Sequence, residues 1–231
     1  TVYDNADRVI SVTTCAPEVQ ESPQMTSYSY DGLGRVTEVT YADGSSVQNT
    51  YNSRGFLELT RGSQTYPVGY SYDNLGRVKT MTNWTSYPSS GVNVTTWAYS
   101  NRGFLARKTY ADGNYVAYTY TPAGRLSTRL WARKPDGVNS LTTTYTYNNA
   151  GEQSSITYSD NTPSVEKTYN RLGELTSVSH NGITTTFSYN AAGYPTGESY
   201  SGGLLSGLSV SKSYDNKLRP IQVRVPNFIT N

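Results

Sequence analysis

The sequence predicts an all-β protein, in which tandem β-hairpin repeats form a spiralling antiparallel sheet shaped as a shell, a tube or an open barrel. Three observations support this class: a tyrosine-anchored motif recurs along the whole chain, turn-forming residues return at short intervals, and the composition suits half-exposed strands. Tyrosine alone accounts for 22 residues, and only 16% of the chain is charged. Aromatic and β-branched side chains pack well on pleated surfaces.

The motif has the form Tyr-Asx-x-x-Gly-(Arg or aromatic)-apolar and occurs about ten times. Successive anchor tyrosines are 27, 21, 21, 27, 21, 27, 22, 20 and 25 residues apart, so the period is 21 residues with occasional six-residue insertions. The clear copies have their tyrosine and glycine at Tyr30 and Gly34, Tyr51 and Gly55, Tyr72 and Gly76, Tyr99 and Gly103, Tyr120 and Gly124, Tyr147 and Gly151, Tyr169 and Gly173, and Tyr189 and Gly193. Degenerate copies begin at Tyr3 and Tyr214, where Asp7 and Leu218 replace the glycine. This regularity predicts a single array over residues 1–231.

Each unit contains two turn signals. After the tyrosine, an Asx residue such as Asp31 or Asp73 can accept a hydrogen bond from the backbone two residues on, and the later glycine supplies a positive φ. About eleven residues past the anchor, a second signal such as Asp43-Gly44 or Asn181-Gly182 follows. Asp-Gly and Asn-Gly pairs favour the type I′ turn of a two-residue hairpin. One unit is therefore expected to be two short strands with a turn at each end.

The strand that leads into the motif usually ends in an aromatic-x-Tyr pair, for example Tyr28 and Tyr30 or Phe187 and Tyr189. Residues i and i+2 of a strand share a face. Stacked repeats are therefore expected to align these rings into a ladder, and each cross-strand aromatic contact adds a few tenths to about 1 kcal/mol.

These units resemble the YD repeats of the RHS/YD-repeat family, and the resemblance covers essentially the whole chain. It implies a spiralling β-sheet that forms a hollow shell. Bacterial members, the RHS toxins and insecticidal toxin complexes, enclose a toxin segment in this shell, whereas the animal teneurins use a related barrel in cell-surface adhesion. The function expected from the resemblance is thus a non-catalytic structural shell segment of a large secreted or cell-surface bacterial protein.

The chain offers little for catalysis, and we expect neither an enzyme nor a cofactor. His180 is the single histidine and stands at an expected hairpin tip, while Cys15 is the single cysteine, which excludes an internal disulfide and a thiolate metal cluster. The recurring aspartates have a fixed place in the turn and give way to asparagine in four copies, which indicates a structural role. A net charge of +2 and the lack of a long apolar run predict no nucleic-acid partner and no membrane span.

Two of the insertions contain candidate ligand-binding residues, Trp84 with Tyr87 and Trp131 with Arg133. Aromatic faces in loops can hold a glycan, so an extracellular fibre-forming or adhesin module is the alternative function. The expected partners are flanking repeats of a parent protein or other copies of the chain, with a polypeptide cargo or a glycan as possible ligands. The first residues lack an initiating Met and a signal-peptide pattern, so we expect a processed product or a segment of a larger protein.

Overall fold

The computed structural model describes residues 1–14, 23–134 and 137–225, which form two compact units, Thr1–Asn114 and Tyr115–Asn231. Cys15 lies outside the described residues. The strands of the first unit are β1 (Val2–Tyr3), β2 (Val9–Thr14), β3 (Gln24–Tyr30), β4 (Val36–Thr40), β5 (Ser46–Tyr51), β6 (Leu57–Gly62), β7 (Thr65–Tyr72), β8 (Val78–Ser86), β9 (Ser90–Tyr99) and β10 (Leu105–Thr109).

The second unit has the same construction with one short 3₁₀ helix added at Gly203–Leu205. Its strands are β11 (Tyr115–Tyr120), β12 (Leu126–Leu130), β13 (Thr142–Tyr147), β14 (Gln153–Tyr158), β15 (Val165–Tyr169), β16 (Leu175–His180), β17 (Ile183–Tyr189), β18 (Pro195–Ser201), β19 (Ser209–Tyr214) and β20 (Pro220–Arg224).

Within each unit, strands that are consecutive in the chain pair antiparallel with each other. In the first unit these pairings run from β1–β2 to β9–β10. In the second they run from β11–β12 to β19–β20. The predicted all-β fold of tandem hairpins is confirmed, and long helices are absent from the described residues.

The two faces of the strands differ in chemistry. One face has cross-strand hydroxyl pairs, such as Thr119 with Thr128 at 2.6 Å and Thr168 with Ser177 at 2.6 Å. The other has larger side chains opposite each other, as in the pairing of Tyr145 with Ile156. In these strands hydroxyl and bulky residues therefore alternate, as the period of two in a strand requires.

Very few side chains are fully buried. Among the described residues, only Val116, Thr143 and Ser155 are buried, with 4%, 2% and 8% exposure. A conventional hydrophobic core is therefore not what holds these strands together. Strand pairing and the contacts between neighbouring repeats must provide most of the stability, as in other repeat proteins.

The turn after each anchor tyrosine is a type I turn closed by a left-handed residue. In the copy that follows β3, the Gly34 amide donates to the Asp31 carbonyl at 3.0 Å, and the Asp31 amide donates to the Arg35 carbonyl at 3.0 Å. Gly34 has a φ of 79°. The strand register shifts between Ser29 and Tyr30 just before the turn. These features define a three-residue hairpin loop with a glycine bulge.

Asp7 and Leu218, which replace the glycine in the degenerate copies, adopt the same conformation, with φ of 57° and 61°. The positive φ of the turn is thus kept in the two copies that lack the glycine. Because a left-handed backbone crowds the Cβ of an L-residue, both end copies hold a strained position.

The second turn is type I′ at Asn181-Gly182, where both residues have positive φ, 50° and 74°. The same prediction is wrong at Asp43-Gly44, because only the glycine has a positive φ there. The Asp43 carboxylate accepts the Ser45 amide at 2.9 Å, which holds the aspartate in a type I turn that ends on Gly44.

Candidate functional site

Within one copy, the Asx side chain organises its own turn. Oδ1 of Asp31 accepts the backbone amides of Leu33 and Arg35 at 2.9 and 3.0 Å. Its Oδ2 accepts Nε and Nη2 of Arg35 at 2.7 and 2.6 Å. The Arg35 amide and then its guanidinium lower the pKa of this carboxyl group. The same fork occurs in two further copies, at Asp4 with Arg8 and Asp73 with Arg77. In the last copy, Oδ2 of Asp215 accepts Nε of Arg219 at 2.7 Å.

Where the partner is not an arginine, the Asx residue is asparagine. The amide of Asn148 donates to the Glu152 carboxylate at 2.6 Å, and Asn170 bonds Glu174 in the same way. Asn52 caps the amide of Phe56 at 3.1 Å without any ion pair. The choice between Asp and Asn therefore follows the residue four positions later: Asp precedes an arginine, and Asn precedes a glutamate or an aromatic residue. Before a glutamate, a second carboxylate would be repelled.

Eight anchor tyrosines bind the preceding repeat. In each of these, Oη donates to the backbone carbonyl of the first residue after the previous turn, at 2.6–3.0 Å. The pairs are Tyr30 with Val9, Tyr51 with Val36, Tyr72 with Leu57, Tyr99 with Val78, Tyr147 with Leu126, Tyr169 with Gln153, Tyr189 with Leu175, and Tyr214 with Pro195. Burial raises the pKa of Tyr72 and Tyr169, as expected for phenols held in this position.

The preceding repeat also covers the tyrosine ring. The guanidinium of Arg35 lies 4.5 Å from the centroid of the Tyr51 ring, and Arg77 lies 4.1 Å from that of Tyr99. Phe56 takes the same place over Tyr72 by stacking at 4.8 Å. The predicted ladder thus contains arginines interleaved with the rings.

We call this combination the clasp: the turn residue of one repeat over the tyrosine ring of the next, with the tyrosine hydroxyl bonded back. The exposed fraction of the arginine side chain shows how much the tyrosine ring covers it. The Arg35 side chain, which has Tyr51 beneath it, is 27% exposed, whereas the Arg219 side chain is 72% exposed. The arginines were visible in the motif but were not included in our predicted site, because the sequence does not show that they reach into the next repeat.

The turn glycine makes room for the clasp. A Cβ on Gly55 would lie 3.4 Å from Nη1 of Arg35, and a Cβ on Gly76 would lie 2.8 Å from Cζ of Phe56. In these repeats the glycine therefore lies against the clasp residue of the repeat before it. Its positive φ was the expected reason for glycine, and this close approach is a second one.

The candidate ligand residues Trp84 and Tyr87 form a cluster with their own strands. Their rings meet edge to face at 5.0 Å, and the Trp84 ring lies so close to Gly69 that a Cβ there would be 3.0 Å from it. Arg61 lies 5.8 Å from the Tyr87 centroid. These contacts make the cluster a packed element of the β7–β8–β9 region.

Trp131 and Arg133 instead line a cavity of about 330 Å³ in the second unit. The Trp131 indole donates to Oγ1 of Thr143 at 2.8 Å. Leu141, Thr142, Thr143, Tyr158, Asp160 and Thr162 complete the lining. The structure therefore brings one of the two predicted pairs, Trp131 with Arg133, into a concave site.

His180 ends β16, next to the type I′ turn, and its Nδ1 lies 3.2 Å from the Ser164 carbonyl. Among the described residues, no group of three or more His, Cys, Asp or Glu side chains is placed to hold a metal ion. The same part of the chain contains no helix that is long and apolar enough to cross a membrane.

The tandem hairpins and their repeated clasps define a YD-repeat β-sheet protein. The sequence model of the Teneurin YD-shell matches residues 1–139, and that of the RHS repeat matches residues 169–204. Because the first match covers more than half of the chain, the chain belongs to the Teneurin YD-shell family. No curated protein matches the chain at a significant level.

Several solved structures share the fold. The crystal structure of TcdB2–TccC3 aligns with a TM-score of 0.70 and 16% identity over 85% of this chain and 12% of its own. TcdB2–TccC3–Cdc42 aligns at 0.69 and 15% over 95% of this chain and 15% of its own. The Tc holotoxin pore of Photorhabdus luminescens aligns at 0.69 and 16% over 86% of this chain and 12% of its own. The chain thus spans about an eighth of the length of these structures.

Proposed function

We propose that this chain is a non-catalytic stretch of the wall of a β-shell in a larger secreted or cell-surface bacterial protein. The clasps are the observation that carries this proposal. Each clasp joins one hairpin to the next through side chains as well as strand pairing, so the array behaves as a continuous sheet. Such a surface separates what lies on its two sides, and it needs no catalytic residue to do so.

Flanking repeats of the parent protein are the proposed partners of this segment. The first and last described strands, β1 and β20, each pair with only one neighbour within their own units. β20 is exposed along its whole length. An uncovered edge of this kind pairs readily with another strand, and a further YD repeat would supply both the strand and the tyrosine of a new clasp.

The proposed role of the complete wall is to enclose a polypeptide. Support comes from the structural neighbours, since one of the TcdB2–TccC3 structures is described as lacking a hypervariable C-terminal region. In a shell protein that bears a variable segment, a closed wall can protect that segment. We extend this role to the parent of the present chain because the two share the fold.

The test is limited proteolysis of the intact parent protein, with fragments identified by mass spectrometry. We expect a segment outside the repeats to resist protease in the native protein. That segment should become cleavable when two clasps are weakened together by Tyr51→Leu and Tyr72→Leu.

The matched control is Tyr66→Leu, because Tyr66 is 84% exposed and lies outside the clasps. If every segment beyond the repeats is cleaved in the native protein as fast as in the double variant, the enclosing role is wrong. Enzymatic turnover of any substrate by the isolated chain would contradict the non-catalytic assignment.

A further inference from the structure

The cavity beside Trp131 is independent of the clasps. It lies at the opposite end of the hairpins from the YD turns, where β12 ends, β13 begins and β14 ends. The Trp131 amide donates to the Leu141 carbonyl at 2.8 Å, which closes the base of the loop between β12 and β13. The amide of Thr142 donates to Oγ of Ser159 at 2.8 Å, which ties the next loop to the same place. These bonds fix the positions of Trp131, Leu141 and Thr142 in the cavity wall.

Trp131 is a rigid surface within this cavity. Its indole N–H donates a hydrogen bond to Oγ1 of Thr143, a residue that is only 2% exposed. The guanidinium of Arg129 lies 3.5 Å from the Trp131 ring centroid. With its edge bonded and a cation against the ring, the indole is held in one orientation before any ligand arrives. Preorganised aromatic surfaces lose little entropy on binding.

The mouth of the cavity has one charge of each sign. Arg133 and Asp160 are both exposed lining residues. Bonds from Thr162 lower the pKa of the Asp160 carboxyl group, and the nearby positive charge of Arg133 lowers it further. The rim thus offers donors and acceptors without a net charge. A neutral ligand that has many hydroxyl groups can satisfy both, since each hydroxyl donates and accepts.

We propose that this cavity binds one or two pyranose rings of a neutral saccharide. The C–H face of a pyranose carries a slight positive charge and fits the negative face of an aromatic ring, here supplied by Trp131 and Tyr158. The sugar hydroxyls would bond Arg133 and Asp160 at the rim. The volume of about 330 Å³ is at the lower end of the range for small-molecule sites, which suits a mono- or disaccharide.

The test uses the ¹⁵N-labelled chain and the indole N–H signals of its three tryptophans. Cellobiose, maltose and N,N′-diacetylchitobiose are titrated to millimolar concentrations. We expect at least one of them to shift the Trp131 signal saturably and to leave the signals of Trp84 and Trp97 in place. The Trp131 signal is assigned by its loss in Trp131→Phe.

Two variants test the rim without disturbing the fold, because both residues are exposed. Arg133→Ala and Asp160→Asn should each weaken saccharide binding about tenfold, with the remaining backbone signals unchanged. Trp84→Phe is the matched control and should bind like the native chain. Three results overturn the proposal: no shift with any of the three sugars, unchanged affinity in both rim variants, or stronger binding of zwitterionic phenylalanine or anionic glucuronate than of the sugars.

Discussion

At the residue scale, glycine has two separable roles in the turns. Gly44 and Gly76 have the same φ of 80°, but a Cβ would meet nothing within 4 Å at Gly44 and would lie 2.8 Å from Phe56 at Gly76. Gly44→Ala should therefore cost only the left-handed backbone strain, about 1 kcal/mol. Gly76→Ala should cost clearly more, about 2–3 kcal/mol, because overpacking is added. Urea unfolding of both variants measures the difference, and equal losses would show that clasp packing contributes nothing.

Leu218 is the converse case, since it occupies a left-handed position that suits glycine. Leu218→Gly should raise the free energy of unfolding by about 1 kcal/mol, because the strain is relieved. Leu33 provides the control, as an exposed leucine in the equivalent loop without a positive φ. Leu33→Gly should be neutral or destabilising. Thermal unfolding of both variants measures the two effects. A similar gain from both substitutions would refute the strain argument.

The turn aspartates predict a pH dependence. Bonds from the arginines lower the pKa of Asp31 and Asp215 in the folded state. The associated stability is therefore complete above the unfolded value of about 3.9 and is lost as the pH falls through the folded pKa.

An Asp31→Asn, Asp215→Asn variant should be less stable at neutral pH and lose less stability between about pH 5 and pH 2. Thermal unfolding at a series of pH values measures both effects. Glu58→Gln, on an exposed position of β6, should retain the acid sensitivity of the native chain. An unchanged acid response in the double aspartate variant would contradict this account.

At the scale of elements, the clasp should act as a coupled pair. Tyr51→Phe removes the bond to the Val36 carbonyl and should cost about 1 kcal/mol. Arg35→Met removes the cation over the Tyr51 ring, and a double-mutant cycle of Arg35→Met with Tyr51→Leu should give a coupling of about 0.5–1 kcal/mol. Tyr66→Phe is expected to be neutral. A coupling near zero would mean that the two side chains are neighbours without an energetic link.

The sequence was sufficient to predict the elements but not the contacts between them. The period of the anchor tyrosines predicted the hairpins, because Asx and Gly encode a turn by local chemistry. The clasp was not predictable in the same way, since Arg35 meets Tyr51 only after two strands have paired in one register. The failed type I′ prediction at Asp43-Gly44 has a local cause: the Asp43 carboxylate bonds the Ser45 amide and favours a competing turn.

The two candidate ligand sites differ in structure for a similar reason. Trp84 and Trp131 look alike in the sequence, each being an aromatic residue in a six-residue insertion. Gly69, on a strand paired with that of Trp84, lets the first ring pack down on the backbone. The second ring is fixed by Thr143 and borders an open cavity. Only the cross-strand neighbours decide this difference.

At the scale of the whole molecule, the edge strand β20 predicts how the isolated chain behaves. Ile221 and Val223 on this strand are 65% and 63% exposed, and bare apolar edges pair with other chains. Light scattering after size exclusion should show a mass above 25.4 kDa that rises with concentration. Val223→Lys should return the mass to that of the monomer.

Val92→Lys is the control, because Val92 is also an exposed valine, at 56%, but lies on β9, not on the edge strand β20, and pairs with Trp84 of β8. It should associate like the native chain. Negative-stain images of the associated fraction distinguish the two functions: short oligomers agree with a wall segment, whereas long regular filaments would favour the fibre-forming alternative. A monomer at every concentration would show that the edge is not adhesive.

The placement of the clasps has a consequence for how these repeats can diversify. Every clasp described lies at the YD-turn end of its hairpins, whereas the Trp84 and Trp131 insertions lie at the other end. Lengthening a loop at that other end leaves the tyrosine bonds and their register intact. One margin of each unit is therefore constrained to a fixed chemistry, while the opposite margin can accept foreign segments, which makes its loops the natural positions for grafting a new binding sequence.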